Sequence, residues 1–147
     1  MKKMMMLVAA CACLAACNNG KTAGNAAGQD SVAADSAIAD SSVYVGVTPA
    51  ADSFGIKYRL AVANDSTKGF SMRQAYLESE TKESEVSYNS GKTEVVTQNG
   101  KTYYKLQMGQ NSPSVNFLVL NDSTLRMVNS ELQEAASGLN YDLKLEK

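Results

Sequence analysis

Lys92-Thr93-Glu94-Val95-Val96-Thr97-Gln98-Asn99-Gly100-Lys101-Thr102-Tyr103-Tyr104-Lys105-Leu106-Gln107-Met108 is the stretch that decides the fold. Two runs rich in β-branched and aromatic residues flank Asn99-Gly100, and both of those residues tolerate the positive φ of a type I′ hairpin turn. The return run puts Tyr104, Leu106 and Met108 on one face, the period-two pattern of a half-buried strand. Tyr103, beside Tyr104, points the other way and is predicted to be exposed.

The same texture extends in both directions. Upstream, Ile56, Tyr58, Leu60 and Val62 alternate with Lys57, Arg59, Ala61 and Ala63, and Asn64 to Gly69 reads as a turn. Phe70, Met72, Gln74 and Tyr76 alternate again; residues 78–85 read as a charged loop, and Val86 and Tyr88 precede a break at Ser90-Gly91. Downstream, Asn111 to Ser114 turns the chain into 115–120, a central strand, and Asn121 to Ser123 leads into Leu125 to Val128. Ser130 to Gln133 fits either a capping box opening one helical turn up to Gly138 or a polar loop. Leu139, Tyr141, Leu143 and Leu145 alternate to the end. About eight or nine short strands at this spacing mean an all-β fold, a small antiparallel barrel or sandwich.

The other end of the chain reads differently. Lys2 and Lys3 precede an apolar run, Met4 to Leu14, which ends in Leu14-Ala15-Ala16-Cys17. At ~1.5 Å per residue that run covers roughly half of a ~30 Å hydrocarbon core, too little for a transmembrane helix. An ordinary secretory signal would also favour small residues at the cleavage site. The cysteine placed right at the end of the run favours a lipoprotein signal over residues 1–16, cut between Ala16 and Cys17. Cys17 would then carry a diacylglycerol and an N-acyl chain, enough to anchor it stably to a membrane surface. Asn18 follows, not the aspartate that favours inner-membrane retention, so the expected place is the outer membrane, facing the periplasm. Residues 18–42 are almost all Ala, Gly, Ser, Asn and Asp, so 17–42 is read as the acylated cysteine and a disordered, flexible tether. The folded domain is read as 43–147.

Composition narrows the chemistry. Loss of the leader takes 16 of 147 residues, with Cys11 and Cys13, and acylation consumes Cys17, the third of three cysteines. No disulfide can then form within the mature chain. There is no histidine, which removes the usual general base and the commonest metal ligand. Of 14 basic residues, 12 remain without Lys2 and Lys3, against 15 acidic ones. A net negative chain without a basic cluster argues against nucleic acid as a partner.

Tyr44-Val45-Gly46-Val47-Thr48-Pro49-Ala50-Ala51-Asp52-Ser53-Phe54-Gly55-Ile56 resembles the opening of NlpE-type envelope lipoproteins, the family of copper homeostasis, surface adhesion and envelope stress. Tyr44, Gly46, Pro49, Ala51, Asp52, Gly55 and Ile56 match in order. Ala75-Tyr76-Leu77, the Leu125/Met127 strand and Asn140-Tyr141-x-Leu143 also fit, so the likeness spans 43–147. It implies a small lipocalin-like β-barrel of about eight strands. The family's two cysteines stand here as Ala50 and Ser53, which can form neither a soft-metal site nor a redox pair. The sequence is read as this one domain, without the second, OB-like domain of longer members. Copper handling and disulfide sensing are therefore not carried over.

No catalytic or metal constellation emerges. Asp52 is read as an Asx-turn aspartate, and Gly46, Pro49 and Gly55 as backbone devices at strand ends, the whole loop being structural with binding as the alternative. Met72, Met108 and Met127 could supply thioethers to Cu(I), but methionine filling a core gap is the simpler reading. Tyr44, Tyr58, Tyr76, Tyr104 and Tyr141 are read as strand residues whose hydroxyls reach the rim. The expectation is a non-enzymatic, membrane-anchored module that binds or senses an unknown envelope protein, with no cofactor beyond the lipid on Cys17. The alternative is a carrier of a lipid or other small hydrophobe, since an eight-stranded barrel holds side chains or one small ligand.

Overall fold

The computed structural model describes residues 38–147; the signal over 1–16, Cys17 and the tether up to residue 37 lie outside the described residues. Eight strands follow one another: β1 (Ser41–Thr48), β2 (Gly55–Ala63), β3 (Gly69–Leu77), β4 (Glu83–Gln98), β5 (Lys101–Gln107), β6 (Val115–Asn121), β7 (Thr124–Val128) and β8 (Asp142–Leu145). Each pairs antiparallel with the next, and β8 pairs with β1 to close the barrel. Of the barrel and the sandwich that the alternation allows, the barrel is present, as the resemblance implies. β1 starts at Ser41, two residues before the expected boundary.

Directly paired residues share a face, so the register defines the interior. One row runs Leu145, Tyr44, Leu60, Met72 across neighbouring strands, and another runs Tyr104, Phe117, Met127. Leu60, Met72, Leu106, Phe117, Leu125 and Leu143 are wholly buried there, and Met108 and Met127 pack against them. The methionines are core residues. Lys57, Arg59, Arg73, Lys105 and Arg126 alternate outward on the same strands. Apolar inside and charged outside is the reverse of a barrel that spans a membrane.

Several expectations need correction. β4 runs unbroken for 16 residues through Ser90-Gly91, where Gly91 sits opposite Phe70. Of the two readings of residues 129–138, the loop is the one present, with no helical turn. Instead Asn129 Oδ1 accepts the backbone N–H groups of Glu131 and Gln133, Leu132 turns at φ 63°, and Glu134 bridges back to Val128. This strap lays Leu132 against Tyr103, Leu118 and Val128 on the outside of the barrel, forming a second small core. Tyr103 does face away from the interior, but it is 6 % exposed because the strap covers it.

The two ends of the barrel differ. One end carries the short connections 64–68, 99–100 and 122–123, together with the start of β1 and the end of β8. Asn99 and Gly100 adopt φ 54° and 74°, the expected hairpin turn. The preceding segment is fastened here: Asp40 Oδ1 and Asp40 O accept from Asn64, whose Oδ1 accepts from Ser42 Oγ. The opposite end carries the long connections 49–54, 78–82, 108–114 and 129–141.

Candidate functional site

The loop read from sequence as the motif of interest lies on the long-connection end. β1 ends at Thr48, and Pro49, which has no N–H to give a ladder, starts the crossing to β2. Ser53 Oγ accepts from Gly55 N (3.2 Å) and donates to Gly55 O (3.1 Å), closing a tight local turn. Serine makes the turn bonds that the sequence assigned to Asp52, which makes no hydrogen bond of its own among the described residues. Phe54 N donates to Leu77 O at 2.9 Å, stitching the loop to β3 and leaving the Phe54 ring 64 % exposed.

Across from this loop, β3 and β4 are out of step by one residue. Ala75 pairs with Val86 and Tyr76 with Ser84, so Glu85 is the extra residue of a β-bulge and takes φ 41°. Bulges of this kind re-aim a side chain at sheet rims and beside sites. Loop and bulge together enclose a groove of about 570 Å³ lined by Asp52, Ser53, Phe54, Tyr76, Leu77, Glu78, Ser84 and Glu85. Its walls are two exposed aromatic rings, and its charged groups are all carboxylates. Glu78 is paired with Lys82; Asp52 and Glu85 have no ion-pair partner among the described residues.

Of the expected motif residues, the structure brings Asp52 to the groove and places Gly55 at the root of the loop. Tyr44 and Gly46 lie elsewhere. Tyr44 is buried in the interior, its hydroxyl donating to Asp122 O at the short-connection end; burial first, then Tyr104, pushes its pKa up. Gly46 is not at a strand end but in the middle of β1, where β8 crosses it. Tyr58 is buried below the mouth, its pKa raised by burial and then by Tyr76. Phe54, Tyr76 and Glu85 are groove residues that sequence reading did not assign to a site. An aromatic in a turn-rich loop was the available signal for Phe54; the bulge that presents Glu85 leaves no such signal.

Ser53 Oγ is engaged with the Gly55 backbone, and no group of three His, Cys, Asp or Glu residues among the described residues could hold a metal. Ala50 and Ser53, where the resembling family has its cysteines, both lie half-buried in the loop. A second groove of about 260 Å³ lies between Met127, Tyr141 and the strap residues Gln133 and Ala135. There Glu134 is neutralised by Arg126 and Lys101.

Residues 44–138 match the model of the NlpE N-terminal domain family. Among solved structures, the chain is similar to a "putative lipoprotein" from Shewanella oneidensis, whose crystal structure was determined at 1.42 Å resolution. The two are 28 % identical with a TM-score of 0.56, over 76 % of this chain and 93 % of that one. No curated protein matches significantly.

Proposed function

Because this chain belongs to the NlpE N-terminal domain family, we propose that it is a lipid-anchored envelope protein whose barrel is a non-enzymatic binding module, engaging an envelope partner at its long-connection end. The observation that carries this reading is the segregation of the two ends. β1 enters at the short-connection end, with the described residues 38–40 leading into it. Both grooves are lined by residues in or next to the long connections. Acyl chains on Cys17 would hold the closed end towards the membrane. An anchor attached through that end would leave the grooved end free to meet a partner. An outer-membrane anchor, with the barrel in the periplasm and in a sensing role, is the specific form we propose.

The carrier reading has less support. Six large apolar side chains in the middle of the barrel are wholly buried against one another, so a hydrophobe would be confined to the mouth.

Photo-cross-linking in cells tests the proposal. A photoreactive residue at Phe54 should capture a discrete protein partner, and one at Gln98, on the tight hairpin of the closed end, should not. Capture from Gln98 alone, or from neither, would contradict the reading. Cys17→Ser should also move the protein from the membrane to the soluble fraction.

A further inference from the structure

We infer that the groove between the 49–54 loop and the β3–β4 rim takes a basic segment of a partner protein, seating a lysine or arginine against Phe54 and Tyr76 and between the carboxylates of Asp52 and Glu85. The inference rests on the reading of the long-connection end as the interaction face and specifies what that face recognises. Its volume of about 570 Å³ suits a few side chains. Phe54 is 64 % and Tyr76 41 % exposed, and the faces of such rings attract ammonium and guanidinium groups. Among the described residues, no lysine or arginine lines the groove. Lys82 already answers Glu78, so the unanswered charge is that of Asp52 and Glu85.

The same features disfavour other occupants. A lipid tail would desolvate two carboxylates and give them no partner, a costly exchange. An acidic peptide or a nucleic acid would be repelled. A divalent ion would need ligands that converge, and these do not. The strap groove offers no comparable attraction, since Glu134 is spent on Arg126 and Lys101. A cation held between an aromatic face and a carboxylate satisfies both halves of the groove. The excess of acidic residues in the chain favours approach of a basic partner over longer range.

Calorimetric titration of the full-length protein in non-ionic detergent provides the test, with an end-capped Arg-Leu-Arg-Leu peptide as probe and Glu-Leu-Glu-Leu as control. The basic peptide should bind, more weakly as salt rises, and the acidic one should not. Asp52→Asn with Glu85→Gln should weaken binding roughly tenfold, and Phe54→Ala should weaken it by a similar factor. Both sites are solvent-facing, and an unchanged circular dichroism spectrum would show that the variants fold. Equal binding of both peptides, no binding of either, or indifference to the double variant would overturn the inference. If position 54 still cross-links a partner in cells while the basic peptide does not bind, the inference falls and the interaction reading stands. Loss of both results removes both.

Discussion

Gly46 and Asp142 close the barrel: a Cβ on Gly46 would overlap the backbone carbonyl oxygen of Asp142, and Leu143 Cδ2 would stand 2.7 Å from it. The seam between β1 and β8 is short, with Tyr44 opposite Leu145 and Val45 opposite Lys144, extended by Glu146 N donating to Val43 O at 2.7 Å. Gly46→Ala should therefore push β8 off β1. A loss of about 1–3 kcal/mol is expected from overpacking, read as a lower denaturant midpoint, with faster amide exchange concentrated in residues 142–146.

Gly100 offers a contrast. It has φ 74° with no atom within 4 Å of where a Cβ would be, so Gly100→Ala meets no clash and costs only backbone strain. About 1 kcal/mol of destabilisation is expected, with exchange perturbed around the β4–β5 hairpin and the seam left intact. Asn99→Gly should be close to neutral by the same unfolding measurement.

Thr93 is 4 % exposed, pairs with Leu106 on the interior face, and its Oγ1 has no hydrogen-bond partner among the described residues. A buried hydroxyl without a partner is a cost, and valine has nearly the same shape. Thr93→Val should stabilise the barrel by about 0.5–1 kcal/mol in urea unfolding, whereas Thr93→Ala should not.

Acid should weaken the outer face of the barrel in a defined window. Glu83 is bound by Arg73 Nη2 (2.5 Å) and Lys57 Nζ (2.9 Å), which together hold its pKa down from 4.5 to about 2. Arg126 likewise lowers the carboxyls of Asp142 and Glu134. A carboxylate whose folded pKa is depressed contributes fully above its unfolded value and loses that contribution as pH falls. Stability should thus be flat above pH 4.5 and decline from there towards pH 2. Glu83→Gln should cost about 0.5–1.5 kcal/mol at neutral pH and make the acid limb of a thermal-unfolding series shallower.

Much of this architecture is legible in the chain, because alternation is a local signal. The inward row of Tyr58, Leu60 and Val62, the Asn99-Gly100 turn, and the pairing of Tyr104 with Leu106 on one face all follow from neighbours in sequence. What was missed depends on distant contacts. Tyr103 is buried by Leu132, far along the chain, whose strap rests on the turn made by Asn129. Gly46 looked like punctuation because its reason, the carbonyl of Asp142, lies 96 positions away. Ser90-Gly91 looked like a break because small residues mark turns; Gly91 instead lies inside a continuous strand opposite Phe70, where a Cβ would run into the backbone oxygen of Gln107 on β5. The groove was half legible. Asp52 stood out through its motif, but Glu85 is presented by a bulge that only the register of β3 on β4 reveals.

The central proposal is that the short-connection end of the barrel lies towards a membrane and the grooved end is presented to a partner. In the proposed form Cys17 is acylated, so a single introduced cysteine can carry a fluorophore; Gln98→Cys and Phe54→Cys proteins would each be labelled and reconstituted through that lipid into vesicles holding a headgroup-attached quencher. The account requires stronger quenching at position 98 than at position 54. Equal quenching, or stronger quenching at 54, would mean that the grooved end lies on the lipid, and the division of labour between the two ends would be wrong.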